Sequence, residues 1–345
     1  MSLAENIIEL CAMAGPAGFE QAVAARVREL LTPYMDEVKT DVLGNVIGVN
    51  RCGRENAKKL LFDAHIDEIG LIVTGHEEGF LRFSALGGVD ARMLPASEIK
   101  ILTEPPIFGI VGTTPPHIQK AEDSDKTIKT EDLFIDIGMT QEEAKKAAPL
   151  GTAAVYNTVT RRFGDNMICG KGLDDRACFA CILGALELLK DEILDVDLYV
   201  MASVQEEVGT RGAKTAAFGI DPDWCVAVDV DHAKTPDNKE YWLKEIGGGA
   251  VISKGTILNK RLTDTAIRLA EEKGIKYQLG IEAGNTGTNA NAIQLTRKGV
   301  AVALLGLPLK YMHSPVEVIS LSDAEAVAAL LCEIAKALRG DDDNA

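Results

Sequence analysis

The chain has 345 residues, 46% of them hydrophobic, and a formal net charge of −16. That length suits one large and one smaller domain, and the lack of a basic stripe argues against nucleic acid and anionic membranes, which are bound through clustered Lys and Arg. No apolar run reaches the roughly 18 residues of a membrane span.

The first residues, MSLAENIIELCAMAG, lack the basic start and small-residue cleavage site of a signal peptide. Ser2 and Glu5 instead make a capping box ahead of an apolar stripe, Leu3, Ile7, Leu10 and Cys11, which predicts an opening helix and a cytoplasmic protein. The seven cysteines are scattered, and Cys178 and Cys181 have no second pair at ligand spacing, so core packing in a reducing compartment is expected of them. A second helix is predicted from about Glu20 to Leu31, then a hairpin over VKTDVLGNVIGVN turning at Gly44-Asn45.

Residues 60–74, LLFDAHIDEIGLIVT, read as one buried strand with Asp63, His65, Asp67 and Glu68 in its middle. Buried charge without a partner is costly, so these residues need a reason to be there. From 75 to 160 the texture changes to short β-like pieces (FLRFSAL, SEIKILT, FGIVGTT, DLFIDIG, TAAVYNTVT), broken by turns and by one helix, QEEAKKAA. This predicts a small all-β domain at 75–160 inserted into a larger one formed by 1–74 and 161–345. After 161, strands DLYVMASV, CVAVDV and VAVALLGLP alternate with helices at 175–190, 210–218 and 259–273, and with a last one from a Ser322/Glu325 capping box to Leu338. Such alternation predicts an α/β domain with a largely parallel sheet and helices on both faces. The tail GDDDNA reads as a solvated end.

In open α/β sheets, binding residues gather beyond the carboxyl ends of the strands. Here LLFDA runs into His65 and Asp67, LYVMASVQ into Glu206-Glu207, CVAV into Asp229, and ALLGLPLKYM into His313, while Asp174-Asp175 lies at a turn into a helix. Period-two geometry would put His65 and Asp67 on one face. Each residue alone has a plainer explanation: a satisfied core histidine, a helix cap, a solvated acidic pair. Together they make an oxygen-rich set with two histidines, suited to Zn²⁺, Co²⁺ or Mn²⁺.

In order and spacing, DAHIDEIG, KGLDDRA, VQEEVGTRGA, AVDV and YMHSPVEV, with AGPAGFE near the N-terminus and PPHI in the insert, resemble the glutamyl and deblocking aminopeptidases called TET peptidases. The resemblance implies a zinc-peptidase-like α/β domain, an inserted β-barrel-like dimerisation domain, two divalent cations per subunit, and dimers assembling into a homo-oligomeric dodecamer. It implies that His65, Asp174 and Asp229 hold one metal and Asp174, Glu207 and His313 the other. Glu206 would be the general base for a water bridging the two, Asp67 would orient His65, and the Asp174-Asp175 peptide would be cis. The implied activity is metal-dependent release of N-terminal residues from short peptides. Two rivals stay open: a related dinuclear hydrolase such as a deacylase or carboxypeptidase, and a weakly catalytic metal-stabilised binding protein.

The chain departs from the family pattern in three places. It has Asn289 where an Asp is common, Lys310 where an Arg is common, and Ala250 where a Pro is usual. The first two read as a compensating pair, since Asn removes a charge and Lys lacks the Arg fork. All three are expected in the segment that shapes the substrate pocket.

Overall fold

A computed structural model describes residues 1–118, 128–238 and 240–340. The strand Lys59–His65 shows how the large domain is built, because its side chains alternate between two cores. Leu60, Phe62 and Ala64 enter the larger core, and Leu61 enters the smaller one on the other face. By the same period of two, Asp63 and His65 share Leu61's face.

That strand sits inside an eleven-stranded mixed sheet. The main path runs Glu37–Thr40, Val46–Asn50, Asp197–Ser203, Lys59–His65, Trp224–His232, Ala301–Lys310, Glu317–Ser320, Met167–Gly170 and Arg161–Phe163. The four strands from Asp197–Ser203 to Ala301–Lys310 are mutually parallel, and antiparallel pairs flank them. Ala250–Gly255 leaves the path by pairing with Ala301–Lys310, and carries Tyr277–Glu282 on its outer side. Helices Leu3–Ala12, Gln21–Leu31, Leu173–Leu188, Lys260–Lys273 and Leu321–Ala337 bury into the larger core. Arg211–Ile220 and Ala290–Ile293 cover the smaller. The architecture is therefore α/β, with a parallel-centred mixed sheet between helices.

The β-rich segment closes on itself. Gly70–Glu77, Phe80–Leu86, Phe134–Asp136, Ile107–Gly112, Glu98–Ile101 and Ala153–Tyr156 form a six-stranded barrel with its own core, which includes Leu71, Leu81, Phe83, Ile99, Val111 and Ile135. On Ile107–Gly112, Gly109 and Val111 are buried while Phe108 and Ile110 are exposed.

The structure divides the single strand predicted over 60–74. The first part ends at His65 in the sheet, and the second starts at Gly70 in the barrel. Asp67 and Glu68 lie in the link between, where their carboxylates bond backbone N–H groups and buried cations instead of flanking a strand ladder. Gly70 allows the crossing, because a Cβ there would meet Pro16 at 2.6 Å and the Ala154 carbonyl at 2.8 Å. The last helix starts at Leu321 with Ser320 as its cap residue, so the Ser322/Glu325 box does not form. Strands Ala250–Gly255 and Tyr277–Glu282 were not expected; the latter is an edge strand with a mixed pattern, YQLGIE. The acidic tail beyond Gly340 lies outside the described residues.

Candidate metal centre

The parallel strands deliver their carboxyl ends to one edge of the sheet, and the expected residues meet there. His65 ends its strand, Glu206 and Glu207 follow Ser203, Asp229 lies on Trp224–His232, and His313 follows Lys310. Asp174 enters from the start of Leu173–Leu188, and its peptide to Asp175 is cis. Ligand atoms of His65, Asp174 and Glu207 lie within 4.8 Å of one another, as do those of His65, Asp175 and Asp229.

The carboxylate of Asp174 is shared. One oxygen lies 3.2 Å from Nε2 of His65, the other 3.2 Å from Nε2 of His313, and that same Nε2 is 3.3 Å from Glu207. Both rings point their other nitrogen at a carbonyl: Nδ1 of His65 donates to Asp67 at 3.1 Å, and Nδ1 of His313 donates to Gly88 at 3.0 Å. A carbonyl only accepts, so each ring carries a proton on Nδ1, and whenever the ring is neutral its Nε2 lone pair faces the carboxylate oxygens. An Nε2 and a carboxylate oxygen at that separation share a positive charge, either a ring proton, which is why Asp174 pushes both histidines up, or a cation in its place. A cation about 2.1 Å from each ligand sets tetrahedral neighbours about 3.4 Å apart, close to the spacings here. The donor set fits divalent metal ions.

The electrostatics agree. Burial, together with the neighbouring Glu207, Asp174 and Asp67, pushes the Glu206 carboxyl up to about 7 despite His65. Burial also pushes Asp229 well up, as do Asp174 and Glu206. Burial would lower His313, yet its hydrogen bonds to Asp174 and Glu207 push it up to about 11. The cluster thus holds more negative than positive charge in a place poorly reached by water.

A second layer of carboxylates holds the backbone. Asp67 accepts N–H bonds from Glu206 at 3.0 Å and Glu207 at 3.1 Å. Its carboxylate lies 3.5 Å from Nδ1 of His65, beside the Asp67 carbonyl at 3.1 Å. Asp67 is fully buried. Glu317, missed in the sequence, accepts from the N–H groups of Leu173, Asp174 and His313 at 2.8, 3.2 and 3.0 Å. The signal was present in HSPVE, a buried acid four residues past a ligand-type histidine. Also missed was a buried cluster in which Lys171 and Arg176 both bind Glu68. Arg176 donates further to the carbonyls of Leu10, Met13, Gly15 and Ile66, tying the N-terminal segment to the sheet–barrel link.

The centre opens into a cavity of about 1090 Å³ bordered by Asp231, Trp242, Lys244, Glu282 and Thr286. Residues 44–330 match the family model described as M42 glutamyl aminopeptidase.

The chain belongs to this family.

Lysyl aminopeptidase of Pyrococcus furiosus is 37% identical over 330 residues, spanning 94% of this chain and 93% of that protein. Among solved structures, an aminopeptidase from the archaeon Desulfurococcus kamchatkensis superposes with a TM-score of 0.91 at 34% identity, covering 98% of this chain and 96% of its own. The TET1 peptidase of Pyrococcus horikoshii, described as able to assemble into a tetrahedron or a large octahedral shell, superposes with a TM-score of 0.85 at 31% identity, covering 98% and 100%. The chain is thus an M42 enzyme, a peptide hydrolase with the TET fold.

In this M42 chain the three departures do not sit in the cavity as expected. Asn289 is buried beneath it, and its amide donates to Asp63 and to Ser203, at 2.8 Å each. Among the described residues no hydrogen bond or ion pair joins it to Lys310. Ala250 is fully buried in the larger core, and Lys310 closes its strand opposite Val318. The neighbours of Asn289, Thr286 to Thr288, are the ones that border the cavity.

Proposed function

We propose that this M42 enzyme is a metal-dependent aminopeptidase releasing the first residue from short peptides, with His65, Asp174, Glu207, Asp229 and His313 holding two divalent cations. The observation that carries the reading is the Asp174 carboxylate, which turns one oxygen to Nε2 of each histidine. Zn²⁺, Co²⁺ or Mn²⁺ held there would supply Lewis acidity, polarising a carbonyl and acidifying a water. Glu206 is the general base: it borders the cavity beside the ligands, takes a proton from the attacking water and returns it to the departing amine. Asp67 keeps Glu206 in place through the backbone, and His65 and His313 keep Nε2 free by donating from Nδ1.

The barrel is the dimerisation domain in this reading, on the way to a dodecamer. Support comes from the outward Phe108 and Ile110 and from the TET relatives, one of which is a dodecamer. A cytoplasmic location is supported by seven unpaired cysteines; among the described residues no helix is long and apolar enough to cross a membrane.

The test is release of the N-terminal residue from unblocked peptides and their N-acetylated copies, after chelation and after return of Zn²⁺, Co²⁺ or Mn²⁺. Metal-restored cleavage of the unblocked set alone is expected. Turnover of only the blocked set would make the protein a deacylase, and turnover of neither would leave a binding protein.

A further inference from the structure

Beyond the candidate ligands and Glu206, the acidic and basic side chains bordering the cavity among the described residues are Asp231, His232, Lys234, Lys244, Glu245 and Glu282. Lys234 and Glu245 satisfy each other at 2.6 Å. Lys244 is buried and committed: its ammonium donates to the Trp242 carbonyl at 2.6 Å and stands 3.4 Å from Asp231. Glu282, at the end of the edge strand Tyr277–Glu282, is different. Among the described residues its carboxylate has no hydrogen-bond donor and no ion-pair partner. Burial and the nearby Asp231 push its carboxyl above the ordinary range, and the attraction of Lys244 offsets this only in part. Asp231, Lys244 and Glu282 sum to one formal negative charge, and among the described residues no arginine borders the cavity.

The wall lies at a useful distance. Asp231 follows Asp229 by two residues on Trp224–His232, so both point to the same face with Cα atoms about 6.7 Å apart. A peptide whose first α-amine sits at the centre would reach this wall with a four-carbon stem.

We propose that Glu282, beside the Asp231–Lys244 pair, makes this enzyme select peptides whose first residue is lysine or arginine. The inference rests on the aminopeptidase reading above. A first-residue glutamate would meet the surplus negative charge, with Lys244 already engaged; a neutral chain would leave Glu282 unpaired as it is now.

The experiment compares metal-loaded protein on unblocked peptides that differ only in a first residue of lysine, norleucine or glutamate. Norleucine keeps the lysine stem without the ammonium. Lysine is expected to exceed norleucine in kcat/KM by tenfold or more, the difference lying mainly in KM, with glutamate lowest. In Glu282→Gln the lysine-to-norleucine ratio should fall toward one, in Glu282→Asp it should survive in part, and in Glu282→Lys the order of lysine and glutamate should reverse. Melting temperatures of the variants check that this partly exposed position leaves folding alone. Equal handling of lysine and norleucine by the unmodified protein, or an unchanged ratio in Glu282→Gln, overturns the charge inference while peptide release still supports the aminopeptidase. If no unblocked peptide is cleaved, both readings fall.

Discussion

Replacing Gly88 with alanine should weaken one metal subsite through the barrel. Gly88 lies between barrel strands Phe80–Leu86 and Glu98–Ile101, and its carbonyl accepts the Nδ1 proton of His313 at 3.0 Å. Its φ is outside the left-handed range, so alanine is allowed there by the backbone. The new Cβ, however, would sit 2.6 Å from Nδ1 of His313 and 2.9 Å from its Cε1. Restoring an ordinary 3.4 Å contact from 2.6 Å takes 0.8 Å of movement by the ring or the loop. Metal–ligand distances tolerate about 0.2 Å, and loss of an outer partner of a ligating histidine costs roughly 10–100-fold in metal affinity. That is about 1.4–2.8 kcal/mol. Titrating metal-free protein with Zn²⁺ against a competing chelator would read stoichiometry and affinity together. One binding step should weaken by that factor while the other stays close to its original value, and Val89→Ala in the same loop should change neither. Two unaltered steps in Gly88→Ala, with the ring contact intact in structure, would refute the reasoning.

Glu206→Gln should lower kcat by about 10²- to 10⁴-fold without changing metal content, since the side chain is given a proton-transfer role and no ligand role; steady-state kinetics beside metal analysis decides this. Glu317→Gln should destabilise metal-free protein by about 2–3 kcal/mol in urea unfolding, because one amide oxygen replaces two carboxylate oxygens that now accept three N–H bonds. Phe108→Asp combined with Ile110→Asp should reduce the solution mass seen by light scattering if the outward face of the barrel strand joins subunits; an unchanged mass would place the contact elsewhere.

The sequence was most legible where one physical pattern acted alone. Period-two alternation and apolar runs marked the four parallel strands, and the charged residues at their ends stood out because they broke an apolar context. The division at residues 66–69 was hidden for the same reason: LLFDA and LIVT are both strand-like, and nothing local says that they belong to different sheets. The strand Tyr277–Glu282 was hidden because an edge strand has one solvated side, so YQLGIE carries no clean signal. Asn289 misled in a different way. Its neighbours line the cavity, but its own side chain turns inward to Asp63 and Ser203, and direction at a loop cannot be read from spacing. The charge that distinguishes the cavity, Glu282, arrives from that unrecognised edge strand.

The feature furthest from the reach of sequence is the way buried acids are divided between two tasks. Asp174, Glu207 and Asp229 present oxygens to the centre, whereas Asp67 and Glu317 give both of theirs to backbone N–H groups and Asp175 gives one. Asp175 accepts from His65, Asp67 from Glu206 and Glu207, and Glu317 from Leu173, Asp174 and His313. The segments carrying His65, Asp174 and Glu207 are thereby each pinned by a carboxylate from a different segment, and His313 by Glu317 four residues further on. Such bonds are charge-assisted and short-ranged, so they fix position more tightly than apolar packing at an opening would. The arrangement has an electrostatic consequence as well. The acids that position the ligands add negative charge around the centre, and burial pushes Asp175 and Glu317 well above the ordinary carboxylate range. Binding divalent cations relieves that crowding, so the same contacts that order the ligands also raise the gain from filling the site.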